Sequence, residues 1–150
     1  MKITVCGSMS NYGKFVELRK ELEALGHVVI LPEPAICVHE KEIELGSYVD
    51  TYKLKLKYDY IRKHFANIMI SDCVLVANYD KNSVKNYIGG NSFLEIGFAY
   101  FINKPTFLLN PIPKIDYYYH EIKAMKPMVI RGNLKRIVDP IWIWGSGVGK

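Results

Sequence analysis

No stretch of this 150-residue chain is apolar for long enough to span a bilayer. The amino terminus passes from Lys2 directly into Ile3-Thr4-Val5-Cys6, without the apolar region and cleavage site of a secretory signal. The expectation is a soluble, cytoplasmic protein. Cysteine is scarce, at three residues, which excludes a disulfide framework. Cys6 and Cys73 lie in apolar runs and read as small buried side chains, while Cys37 sits in a connection. Cys37-x-His39 is the one thiol and imidazole pair at short spacing; no second pair completes a zinc site, so no metal is assigned and no cofactor is expected. Internal repeats and linkers are lacking too. Residues 1–150 therefore read as one domain, large enough to bury roughly two-thirds of the unfolded chain's surface, with 145–150 as a disordered tail.

Acidic residues are the minority, and the net charge is +5. Lys53, Lys55, Lys57, Arg62 and Lys63 gather among Tyr52, Tyr58 and Tyr60. A basic cluster interleaved with aromatics suits nucleic acid, but a helix with a basic face is more often simply solvated. No nucleic-acid module accompanies the cluster, so a polymer partner is not expected. The charge equally suits a small phosphorylated ligand.

Short apolar runs alternate with helical periodicity along the chain. Ile3 to Gly7 reads as a strand, and Phe15, Leu18, Leu22 and Leu25 recur at helical spacing up to Gly26. His27 to Leu31 is a second strand, closed by Pro32 and Pro34. From Glu33 to Asp50 the pattern lapses into a surface excursion with the character of a mobile lid. Asp50 to Ile70 reads as a long amphipathic helix, with Ile61, Phe65, Ile68 and Met69 on one face. Strands follow at Cys73 to Asn78, Thr106 to Leu109 and Met128 to Ile130, with helices from about Ser92 to Asn103 and from Tyr117 to Met125. Ile141-Trp142-Ile143-Trp144 alternates like a strand or a docking segment. Such alternation predicts an α/β, flavodoxin-like three-layer sandwich: a five-stranded parallel sheet in the order 2-1-3-4-5 with helices on both faces. Ligands bind at the switch point of that order, beyond the carboxyl ends of strands one and three. The loops Gly7 to Asn11 and Asn78 to Asn91 should face each other there.

The stretch from Asn86 to Pro105 carries the densest chemistry. Gly89 and Gly90 open onto a largely apolar helix, and Glu95 is its one carboxylate. Two readings compete. Ser92-x-x-Glu95 fits a capping box, in which Glu95 reaches back to the Ser92 amide; spacing alone favours that structural role. Alternatively Glu95 stands at the rim of the crevice as a catalytic group. Gly7-Ser8-x-Ser10 before a helix suits a phosphate and equally suits an ordinary strand-to-helix turn.

Gly7-Ser8-Met9-Ser10 after strand one, Ser71-Asp72 before strand three, and the run Gly-x-x-x-x-Glu-Ile-Gly-x-Ala ending in Asn103-Lys104-Pro105 resemble the nucleoside 2-deoxyribosyltransferase superfamily. That superfamily includes the 2'-deoxynucleoside 5'-phosphate N-hydrolases. The resemblance covers roughly residues 1 to 110. It implies attack on an N-glycosidic bond with Glu95 as nucleophile, a phosphate loop at Ser8 and Ser10, and neighbouring subunits around the pocket. Three family positions differ: a tyrosine becomes Thr4, an aspartate becomes His64, and an aspartate or serine becomes Gly89. Tyr87, Asn91, Asn78 and Asp80 are the nearby candidates to replace them, with His64 or Asp80 handling the proton.

The resulting expectation is cleavage or transfer at the N-glycosidic bond of a nucleoside, deoxynucleoside or 5'-monophosphate. Glu95, His64 and Asp80 are the catalytic candidates. Gly7, Ser8, Ser10, Asn78, Tyr87, Gly89, Gly90 and Asn91 are the binding candidates. The competing class is a non-catalytic nucleotide-binding or sensing module; a flavodoxin proper fits less well, because the first loop has few hydroxyl residues. Tyr117, Tyr118, Tyr119, Trp142 and Trp144 offer more aromatic surface than a small domain readily buries, so a homodimer or higher homo-oligomer is expected.

Overall fold

The computed structural model describes residues 1–33, 53 and 55–138. Cys37, His39, the excursion between Glu33 and Asp50, both tryptophans and the tail lie outside the described residues. Five strands form one sheet: β1 (Lys2–Cys6), β2 (Val28–Ile30), β3 (Cys73–Val76), β4 (Thr106–Leu108) and β5 (Met128–Val129). Their order is β2-β1-β3-β4-β5 and every pairing is parallel, as the flavodoxin-like expectation has it. Among the described residues, helices α1 (Tyr12–Ala24), α2 (Tyr60–Ile70), α3 (Gly90–Phe101) and α4 (Tyr119–Ala124) cover the sheet.

The strand period of two divides the core into two layers. On one side Ile3 and Val5 of β1 and Cys73 and Leu75 of β3 pack with Phe15, Leu18 and Leu22 of α1. On the other, Cys6, Val74 and Val76 meet Ile68 of α2, Ile96 and Ala99 of α3 and Ile122 of α4. Cys6, the last residue of β1, therefore points at the α2 and α3 layer. Phe65 and Phe98 stack at 4.3 Å and tie those two helices together. Thr4, on the same face of β1 as Cys6, is buried and bonded to the Asn67 carbonyl and the Ser71 hydroxyl, so it anchors the end of α2.

The helix expected from Asp50 to Ile70 is interrupted. Residues 55–58 are helical, Asp59 adopts φ 49 in the left-handed region, and α2 starts at Tyr60. Its buried stripe is also turned from the one expected: His64 and Ile68 are buried, while Ile61 and Met69 are exposed. His64 thereby faces Cys6 and Glu95, as described below. Among the described residues no helix is long and apolar enough to cross a membrane.

Candidate functional site

Beyond the carboxyl end of β1 lies a pocket lined by Gly7, Met9, Pro32 after β2, Lys55, Tyr60, Ile61, His64, Phe65, and Asn91, Leu94 and Glu95 of α3, the helix that follows β3. The switch point thus holds a cavity, and it holds Glu95. Helix α3 begins at Gly90, with Gly89 in extended conformation as its N-cap and no side-chain cap bond. The capping-box reading is corrected by that start. Ser92 is buried inside the first turn, and Glu95, the sixth helical residue, is too far along to reach the orphan amides. Its side chain points instead toward α2 and β1.

Three polar side chains from three elements meet there. His64 Nε2 lies 3.3 Å from Cys6 Sγ and 3.6 Å from Glu95 Oε1. The second distance is longer than a hydrogen bond. Glu95 Oε2 and His64 Nδ1 are buried with no hydrogen-bond partner in the structure. Burial raises the Glu95 carboxyl to about 7, with the neighbouring Cys6 thiol and the Lys55 charge pulling partly back. Burial likewise lowers His64 to about 4. The separation would fit an ion pair, but burial opposes both charges, so a neutral acid stands beside a neutral imidazole between about pH 4 and 7, and Glu95 loses its proton as pH passes about 7. Cys6 stays a thiol, held well above its ordinary value by burial and then by Glu95. A Cys-His-Glu relay is excluded by connectivity: a relay uses both ring nitrogens, whereas both contacts here fall on Nε2.

The two switch-point loops touch. Lys81 Nζ donates to Ser8 Oγ at 2.8 Å, and the Ser8 and Ser10 hydroxyls are 3.0 Å apart; Gly7 and Met9 of this loop line the pocket, whereas Ser8, Ser10 and Lys81 do not. Gly7 admits no side chain, because a Cβ would sit 2.7 Å from the Phe15 ring and 3.1 Å from the Ala77 carbonyl.

Other sequence candidates are engaged elsewhere. Asn78 is fully buried; its amide donates toward the carbonyls of Asn86, Asn110 and Pro111, and its oxygen accepts from the Asn110 amide. It clamps two loops rather than facing the pocket. Asp80 accepts from the Asn86 amide at 2.8 Å and holds the same loop. Tyr87 lies against Gly89, with the Lys81 ammonium 5.4 Å from its ring centroid. Neither Asp80, Tyr87, Gly89 nor Gly90 lines the pocket. Tyr118 donates to the Ile88 carbonyl and stacks on Phe93, so part of the late aromatic surface is spent inside the fold.

Several lining residues were missed by the sequence reading. Lys55 and Tyr60 belong to the basic cluster, in which Arg62 pairs with Asp59, Lys63 with Glu33, and Lys57 lies over Tyr58. In the sequence Cys6 reads as a small buried side chain. Its position at the carboxyl end of β1, on the face opposite Val5, was the one available signal.

No protein-family model and no curated protein matches the chain. Among solved structures, a 2-deoxyribosyltransferase from Bacillus psychrosaccharolyticus is similar with a TM-score of 0.42 and 20% identity, over 72% of this chain and 71% of that one. At that level the likeness transfers no residue role.

Proposed function

We propose that the protein cleaves, or transfers the sugar across, the N-glycosidic bond of a nucleoside, deoxynucleoside or 5'-monophosphate, with Glu95 as nucleophile and His64 as proton carrier. One observation carries the proposal: Glu95 lies at the switch-point pocket with Oε2 buried and unpartnered, which is costly for a residue with only a structural role. The sequence resemblance assigns the same residue.

Between about pH 4 and 7 Glu95 and His64 hold one proton between them. Its transfer from Glu95 to His64 leaves a carboxylate to attack the anomeric carbon and an imidazolium to protonate the departing base. The bond from C1' to nitrogen breaks as the ester to Glu95 forms. Neutral His64 then takes a proton from water or from an incoming base, which attacks C1' and releases Glu95. The 3.6 Å separation must shorten for the first transfer, as catalytic contacts do when a ligand closes the site. The Ser8 and Ser10 hydroxyls and Lys81, on loops next to the pocket, suit a 5'-phosphate, and self-association of copies of this chain is part of the same reading.

The second reading, a non-catalytic nucleotide-binding module, draws on one observation. Among the described residues Glu95 is the one carboxylate lining the pocket, since Asp80 is tied to its own loop. The test is incubation with a panel of nucleosides and monophosphates, in chelator, monitored for free base. Base release by the parent protein that Glu95→Gln abolishes, with ligand binding retained, supports the enzyme. Binding without release across the panel supports the module.

A further inference from the structure

The three donor atoms beneath the pocket make a poor hydrogen-bonding group and a good ligand set. His64 Nε2 offers one lone pair, yet the Cys6 thiol and the Glu95 carboxyl both approach it, and Glu95 Oε2 is left buried without a partner. A tetrahedral zinc ion, with bonds of about 2.3 Å to sulfur and about 2.0 to 2.2 Å to nitrogen and oxygen, holds its ligand atoms roughly 3.4 to 3.6 Å apart. The separation of 3.6 Å from Nε2 to Oε1 falls at that spacing and that of 3.3 Å from Sγ to Nε2 just below it, while the third donor pair lies within 4.8 Å.

We propose that Cys6 Sγ, His64 Nε2 and the Glu95 carboxylate bind one zinc-class divalent cation, leaving a fourth position open toward the pocket that His64 and Glu95 line. The ligand chemistry selects the ion: a thiolate and an imidazole favour zinc-class cations over magnesium and calcium, which take oxygen ligands. Charge also balances. Binding displaces the Cys6 proton, and the Glu95 proton where it is carried, to solvent, so a dication meets two anionic ligands and one neutral ligand. The buried site is then electrically neutral. Three protein ligands with a fourth position open are the arrangement of a reactive or exchangeable site, in contrast to a closed structural one.

This inference does not rest on the glycosidic reading. If both hold, a cation on Glu95 blocks its attack, and metal binding and turnover exclude each other.

The test uses the full chain stripped with chelator and titrated with Co2+, which reports thiolate ligation by a charge-transfer absorption and tetrahedral geometry by its visible bands. Saturation at one equivalent and displacement by Zn2+ are expected. Cys6→Ser should remove the charge-transfer band, and His64→Gln and Glu95→Gln should each weaken binding roughly tenfold or more. Because Cys6 lies in the core, a readout on the unsubstituted protein stands beside the variants: Zn2+ should raise its melting temperature in a concentration-dependent way. A missing charge-transfer band overturns the proposal. So does a band that survives Cys6→Ser and disappears with Cys37→Ser, which would put the metal on another thiol. The base-release assay in chelator reports on the glycosidic reading separately.

Discussion

Replacing Glu95 by glutamine should make the metal-free protein more stable at alkaline pH than at acid pH, relative to the parent. Burial raises the Glu95 carboxyl from 4.5 to about 7. In the unfolded chain the group ionises as pH passes 4.5, whereas in the folded protein it keeps its proton until about 7. Over that window the folded state binds more protons than the unfolded state, so stability falls as pH rises. The penalty is absent below the unfolded value and complete above the folded one. At about 1.4 kcal/mol per unit it amounts to roughly 3 kcal/mol. Glutamine does not ionise and escapes it. Its amide hydrogens lack partners, which costs about 1 to 3 kcal/mol, but that cost is the same at every pH.

The diagnostic is therefore the slope. His64, lowered by burial, contributes with the opposite sign, its stability lost as pH falls through about 4, and this contribution is common to both proteins. Melting curves in chelator between about pH 5 and pH 8 should show the Glu95→Gln melting temperature gaining on the parent by roughly 5 to 10 °C. Parallel curves across that range would refute the argument, since they would mean that Glu95 is solvated or already ionised in the fold.

On any nucleoside or nucleotide the protein cleaves, kcat/KM should be bell-shaped, bounded by the apparent values of the Glu95 and His64 pair near 7 and 4; activity that keeps rising above neutral pH would remove the shared proton from the mechanism. Nucleoside monophosphates should bind roughly tenfold or more tightly than the matching nucleosides, and Ser8→Ala with Ser10→Ala, or Lys81→Met alone, should erase most of the difference. Equal affinity of the parent for both ligand types would sink the phosphate loop. Asn78→Ala leaves the Asn110 amide and three carbonyls short of a partner and should cost roughly 3 kcal/mol by urea unfolding; a loss under about 1 kcal/mol would contradict the clamp. Light scattering at micromolar concentration should detect oligomers, because Phe101 on α3 and Tyr117 remain 82% and 92% exposed, and a monomer would count against self-association.

The amino-acid sequence by itself determined the sheet. Apolar runs such as Cys73-Val74-Leu75-Val76 can be buried on both faces only in a parallel strand covered by helices, and their alternation with Phe15-Leu18-Leu22 periodicity leaves few topologies. It also determined where a pocket would open, because the switch point follows from strand order. What it left undecided was the meaning of Glu95. A capping box is a local pattern, and Ser92-x-x-Glu95 satisfies it; only the start of α3 at Gly90, two residues before Ser92, rules it out.

The meeting of Cys6, His64 and Glu95 is likewise tertiary. These residues are far apart in the chain and come from a strand and two helices, and each pattern within its own element is ordinary. Their proton affinities depend on burial by all three elements together, which no spacing encodes. The same holds for Asp80 and Asn78, whose side chains suit a ligand as well as a loop carbonyl or amide. Packing of the loops around residues 86 and 110 decided between those partners, because a buried polar group binds whichever complement the fold brings within reach.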